Sequence, residues 1–210
     1  MGVSMNNLSN KKIYKKWSKI YDKFFGSSIF NNQRKLEIDL LTLNPEDKVL
    51  FIGIGTGEDF KFLPKGVQVT GIDITEEMLE VARKKADTLN LENANILNMD
   101  AMNLSFQDKE FDYVILNLIL SVVPDGNKCL KEAYRVLKPN GKVAIFDKFA
   151  GEEQKKSVVK ALLNKLTTSL GTDINRKFSQ IAKGINLKVV EERKSIFGGM
   201  YNIMILEKAD

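Results

Sequence analysis

Val49-Leu50-Phe51-Ile52-Gly53-Ile54-Gly55-Thr56-Gly57 is an apolar run that passes into glycines at every second position. It reads as a buried parallel strand that turns sharply toward a helix, with Gly57 near the helix start. Glycine suits a turn on which a ligand docks, because a side chain would bar close approach of the backbone and because the turn can require positive φ. Twenty residues beyond Gly53, Val67-Gln68-Val69-Thr70-Gly71-Ile72-Asp73 gives a second buried strand ending in a carboxylate. A ribose diol is gripped from that position. Together the two stretches point to a nucleoside-containing cofactor.

Charge narrows the choice. A dinucleotide fingerprint, G-x-G-x-x-G, wants its last glycine where this chain has Glu58, and a pyrophosphate at a helix N-terminus needs bare N–H groups without a competing anion. No Gly-Lys-Ser/Thr follows, which excludes a P-loop. A nucleoside without phosphate fits, and S-adenosylmethionine, a sulfonium cation, meets that condition.

The surrounding pattern alternates strand and helix. Strands are expected at 49–53, 67–73, 94–98, 112–117 and 142–148, with helices at 57–63, 75–90 (Thr75 as N-cap) and 125–137, the last ended by Lys138-Pro139-Asn140-Gly141. Residues 29–43 and 152–184 read as helical, and strands at 186–193 and 200–207 close the chain as an antiparallel hairpin. Seven strands in this order imply an α/β, Rossmann-like, doubly wound, mostly parallel sheet. In such sheets the ligand lies beyond the carboxyl ends of the strands. The glycine turn, Asp73, Asp100-Ala101-Met102 and Asn117-Leu118 all fall there.

The 210 residues suffice for one domain with a substantial core. We expect an N-terminal helical lid over 1–44, a cofactor-binding core over 45–150 and substrate-side helices with terminal strands over 151–210. The longest apolar run, Val114 to Val123, is too short to span a bilayer, and no apolar leader opens the chain. The expected location is therefore cytoplasmic. With one cysteine, Cys129, and no histidine, the chain lacks disulfides, thiolate metal sites and the commonest general base at neutral pH.

The net charge of +5 is unevenly spread. Of 32 basic and 27 acidic residues, six lysines and one aspartate lie in residues 1–25, which leaves 26 of each sign elsewhere. There, Ile13, Trp17, Ile20, Tyr21 and Phe24 recur at helical spacing beneath a lysine-rich face. The segment reads as a lid helix with solvated lysines, or alternatively as one that meets an anionic membrane or nucleic acid. Lys155, Lys156, Lys160 and Lys165, interleaved with Val158, Val159, Leu162, Leu163 and Leu166, form a second basic amphipathic stretch.

The chain resembles the class I S-adenosylmethionine-dependent methyltransferases over most of residues 10–150. The resemblance rests on Val67 to Lys84, Asp100-Ala101, Phe111-Asp112-Tyr113-Val114 and Arg135-Val136-Leu137-Lys138-Pro139-Asn140-Gly141-Lys142. Tyr21-Asp22-x-x-Phe25-Gly26 and Leu120-Ser121-Val122-Val123-Pro124 are similar to the bacterial phosphatidylethanolamine N-methyltransferases and quinone-type methyltransferases. The resemblance implies that Gly53 and Gly55 border the methionine part of the cofactor and that Asp73 binds the ribose hydroxyls. It also implies that Ile74 and Met78 flank adenine, that Asp100 accepts its amino group and that Ala101 and Met102 close that pocket. Asn117, Tyr14 and Tyr21 would meet the methionine end. Phe51 stands where the family has an acidic residue, and Leu118 where the phospholipid branch has a histidine.

Methyl transfer from a sulfonium chiefly needs alignment. A neutral amine can attack unaided, with Tyr14, Trp17 and Tyr21 stabilising the developing ammonium by cation–π contact. Asp147 is the candidate general base, with Tyr21 beside it in the catalytic set; a surface ion pair with Lys148 is the alternative role of Asp147. Cys129, among Leu130, Ala133, Val136 and Leu137, reads as packing. The acceptor expected is a small or amphiphilic molecule, including a lipid amine, with peripheral contact to anionic membrane. An RNA methyltransferase and a catalytically silent cofactor-binding module are the alternatives.

Overall fold

The computed structural model describes residues 26–91, 94–150 and 176–209. Along the chain run α1 (Ser28–Leu41), β1 (Lys48–Ile52), β2 (Gln68–Asp73), α2 (Glu76–Thr88), β3 (Asn95–Asn98), β4 (Phe111–Asn117), α3 (Gly126–Val136), β5 (Leu137–Lys148), α4 (Phe178–Ile181), β6 (Leu187–Lys194) and β7 (Tyr201–Lys208). The seven strands form one sheet in the order β3-β2-β1-β4-β5-β7-β6. Strands β1 to β5 pair in parallel, and β7 runs antiparallel to both β5 and β6. The expected seven-stranded sheet with an antiparallel terminal pair is therefore present, and β7 inserts between β5 and β6.

Side chains alternate across β1, which sends Leu50 and Ile52 to one face and Val49 and Phe51 to the other. The first face buries Cys129, Leu130, Ala133 and Val136 of α3, whose spacing makes one helical stripe. The second face buries Ile38 and Leu41 of α1 with Leu79, Ala82 and Ala86 of α2. Fully burying a leucine such as Leu130 contributes about 1.5–3 kcal/mol, so these stripes hold the helices against the sheet. A third cluster joins Phe30 of α1 to Phe146, Tyr201 and Ile203, with Phe30 edge-on to Tyr201 at 5.5 Å.

Several local expectations are corrected. In place of a helix over 57–63 there is a single 3-10 turn at Phe60–Phe62. Thr75 occupies the N-cap position of α2 but its side chain makes no capping bond; the carboxylate of Asp73 instead accepts the Thr75 N–H at 2.9 Å. Asp125 does cap α3, accepting from Lys128 N–H at 3.0 Å. Strand β5 begins at Leu137, because Lys138 to Gly141 form an irregularity in the ladder with β4 and do not end the strand pairing. The helical expectation for 152–184 falls largely outside the described residues; within them it yields only α4, whose Ile181 is buried.

Candidate functional site

The carboxyl ends of β3, β2, β1 and β4 stand side by side, and at a strand spacing of about 4.8 Å they span roughly 14 Å. Over them lies a cavity lined by Gly53, Gly55, Asp59, Asp73, Ile74, Met78, Met99, Asp100, Ala101, Asn117, Arg34 and the apolar rim Leu118, Ile119, Val122 and Val123. Strand order reverses between β1 and β4, so this is the switch point of the sheet.

The floor is made by the glycine turn. N–H groups of Gly53 and Ile54 both donate to the Ile72 carbonyl at 2.9 Å, which stitches the turn to β2. Gly53 has φ +76°, and a Cβ there would lie 2.7 Å from Ile119 Cδ1. Gly55 has φ +56°, yet the only atom near a Cβ placed there would be Met78 Sδ, at 3.8 Å. The turn therefore presents bare backbone to open space, which a ligand can fill.

Beside it, Asp73 Oδ2 accepts the Gly55 N–H at 3.1 Å, so one carboxylate both shapes the turn and faces the cavity. Burial pushes Asp73 above the usual carboxylate value, opposed by the N–H groups of Thr75 and Gly55. Asp100 Oδ1 accepts the Met102 N–H at 2.9 Å and likewise lines the cavity. Met99 and Met102 both pack against the core, and of the two Met99 lines the cavity. Glu58 also lines the cavity but is paired with Lys61 at 2.9 Å and Lys85 at 2.5 Å. Although burial opposes ionisation, those lysines bring its pKa below the usual carboxylate value.

Asn117 joins the cavity from β4, donating to Asp59 Oδ1 at 2.8 Å and accepting the Phe146 N–H at 3.2 Å. The next residue, Leu118, has φ +58°, which costs an L-residue about 1–2 kcal/mol. The bend turns the chain into the rim at Ile119 to Val123. Arg176 secures that rim by donating to the carbonyls of Leu120 at 2.7 Å and Pro124 at 3.3 Å.

Asp147 lies apart from the lining residues. It is fully buried, and its carboxylate accepts the N–H groups of Ser121 at 2.9 Å and Lys148 at 2.7 Å. Burial raises its pKa. A surface ion pair with Lys148 is excluded by that burial, and the geometry is that of a tether for the rim. Cys129 is buried and free, with its thiol pushed up by burial. Tyr14 and Tyr21 lie outside the described residues, as do the two lysine-rich stretches.

The sequence reading missed Arg34 and Asp59. The signal for Arg34 was present: with Phe30, Ile38 and Leu41 it lies on the buried face of an amphipathic helix, and so does Glu37. A charge on an apolar stripe demands a partner.

A family model described as a methyltransferase domain matches residues 50–145. Over 196 residues the chain is 31% identical to a phosphatidylethanolamine N-methyltransferase of Cereibacter sphaeroides, covering 93% of this chain and 95% of that relative. A demethylmenaquinone methyltransferase of Listeria welshimeri is 36% identical over 145 residues, or 65% of this chain and 61% of that relative. Among solved structures, a SAM-dependent methyltransferase from Aquifex aeolicus has a TM-score of 0.63 over 94% of this chain and 97% of its own, at 19% identity.

Proposed function

This chain belongs to the S-adenosylmethionine-dependent methyltransferases, and we propose that it methylates a small or amphiphilic acceptor, a lipid amine such as phosphatidylethanolamine. The observation that carries the acceptor is the end-to-end likeness to the phosphatidylethanolamine N-methyltransferase, which extends beyond the cofactor core into the segments flanking it. The apolar rim of Leu118, Ile119, Val122 and Val123 suits an acceptor with a hydrocarbon portion.

The cavity fits the cofactor: it offers bare backbone at Gly55 and carboxylates at Asp73 and Asp100, which suit hydroxyl and amino groups and repel phosphate. In this proposal Asp73 holds the ribose hydroxyls, and Asp100 with Ala101 receives the adenine amino group. Ile74 and Met78 sandwich the ring, while Gly53, Gly55 and Asn117 border the methionine part. Met102 acts from behind the pocket, and Tyr14 and Tyr21 are assigned by sequence alone, to the methionine end of the cofactor and the acceptor beside it. S-adenosylmethionine supplies the methyl group as a sulfonium electrophile. The chain's contribution is to fix the line of approach and keep water out. A neutral amine needs no base to attack; Asp147 holds the rim in place.

Labelled cofactor and vesicles containing phosphatidylethanolamine test the acceptor. Label appearing in methylated ethanolamine lipid is the expected result. Label entering only a demethylated naphthoquinol, the reading suggested by the quinone relatives, would overturn it.

A further inference from the structure

At the β4 end of the cavity four polar side chains are packed together with very little exposure: Arg34 5%, Glu37 0%, Asp59 4% and Asn117 8%. Their bonding is incomplete. Asn117 donates to Asp59 Oδ1 at 2.8 Å, but Arg34 Nε stands 3.8 Å from the same oxygen, beyond a hydrogen bond. Among the described residues Arg34 Nε and Nη1 have no hydrogen-bond partner, and the Glu37 oxygens have none of good geometry, with only the Asn117 amide close to them. Each unsatisfied buried group costs about 1–3 kcal/mol, more when charged, so a cluster left in this state is built to be completed by something else. Local duties do not explain it, since Asp59 precedes the 3-10 turn without capping it.

Arg34 and Asp59 open onto the cavity, with Glu37 behind them. The cofactor brings an α-ammonium and an α-carboxylate on its amino-acid end. Neither the glycine turn nor Phe51, packed edge-on against Phe60 at 6.1 Å, carries a charge to meet them, and Glu58 is already paired with two lysines. We propose that Asp59, backed by Glu37, anchors the α-ammonium of the cofactor, and that Arg34 anchors its α-carboxylate.

The charges then balance. Glu37 is faced by the Asp59 carboxylate, the Arg34 guanidinium and the Asn117 amide. Burial and then Asp59 push its pKa up to about 8, so near neutrality Glu37 in the empty cluster holds its proton. An arriving ammonium favours the charged form of Glu37, which gives up its proton to solvent. Asp59 is the contact residue here, and Glu37 is a positioning residue that acts through it.

The inference rests on the cofactor occupying this cavity, and the experiment separates the two ideas. Calorimetry compares S-adenosylhomocysteine with 5′-methylthioadenosine, which lacks the amino-acid portion, across wild type, Asp59→Asn, Glu37→Gln and Asp73→Asn. Asp59→Asn is expected to weaken S-adenosylhomocysteine at least tenfold and to leave methylthioadenosine within about twofold. Wild type is expected to release about one proton per S-adenosylhomocysteine bound near pH 7, read from buffers of different ionisation enthalpy, and Glu37→Gln to release none. Asp73→Asn should weaken both ligands; if it weakens neither, the cavity assignment itself fails. If Asp73→Asn weakens both while Asp59→Asn affects the two ligands equally or not at all, the anchor is overturned. Should Asp59→Asn not fold, proton release unchanged by Glu37→Gln would overturn it alone.

Discussion

A single carboxyl on the buried face of α1 makes the empty protein pH-sensitive. Folded, Glu37 keeps its proton up to about pH 8, against an unperturbed value of 4.5. Between those values the folded state binds the additional proton, so this group's stabilisation is complete below pH 4.5 and is lost as pH rises through 8. The swing is up to about 5 kcal/mol. Urea unfolding at pH 5.5 and pH 9 should therefore show wild type losing stability relative to Glu37→Gln as pH rises; a difference flat with pH would refute the account. Asp147 is the contrasting case. It too is buried and raised, but backbone N–H groups of Ser121 and Lys148 occupy it. Replacing it with Asn leaves one acceptor for two donors, and we expect a loss of about 1–3 kcal/mol with the pH profile of turnover unchanged. A shifted profile would restore it as a base.

At the scale of the element, two glycines of one turn make different demands. An alanine at Gly53 must adopt φ +76° and intrude to 2.7 Å on Ile119, so Gly53→Ala is expected to cost about 2 kcal/mol or more in folding stability. An alanine at Gly55 meets only Met78 at 3.8 Å; it costs about 1 kcal/mol of backbone strain and places its methyl in the cavity. Gly55→Ala should thus remain folded while binding S-adenosylhomocysteine at least tenfold more weakly, measured by thermal melting alongside calorimetry. Equal losses of stability in the two variants would contradict this division. Strands and turns of this kind were legible in the sequence because the glycine spacing and the apolar runs are local signals. Arg135 was legible only as a motif letter, whereas its guanidinium reaches Glu132, Asp108 and the carbonyls of Leu104 and Phe106. Those partners sit up to 31 residues away, and no periodicity announces them. Asp59 was hidden for the same reason, since its partner Asn117 is 58 residues distant.

For the whole molecule, the acceptor and the charge distribution belong to one argument. Strand order places the cavity beyond the carboxyl ends of the parallel strands, and no described helix is long and apolar enough to cross a membrane. The lipid amine proposed as acceptor resides in a bilayer, and the proposal therefore requires the protein to reach a bilayer surface. The net charge of the chain equals the excess of six lysines over one aspartate in residues 1–25, interleaved with Ile13, Trp17, Ile20, Tyr21 and Phe24. Near an anionic surface each lysine contributes about 1 kcal/mol, an attraction that decays within a Debye length of about 10 Å at 0.1 M salt. We therefore expect the protein to co-sediment with vesicles containing anionic lipid at low ionic strength, and to be released as salt approaches 0.5 M. Exchanging Lys11, Lys12, Lys15 and Lys16 for Gln should weaken vesicle binding at least tenfold and leave the affinity for S-adenosylhomocysteine unchanged, because none of the cavity-lining residues described carries that charge. Vesicle binding that survives both high salt and the Gln exchanges would place the attraction elsewhere, and no binding at low salt would remove the membrane from the proposal while leaving the cofactor site untouched.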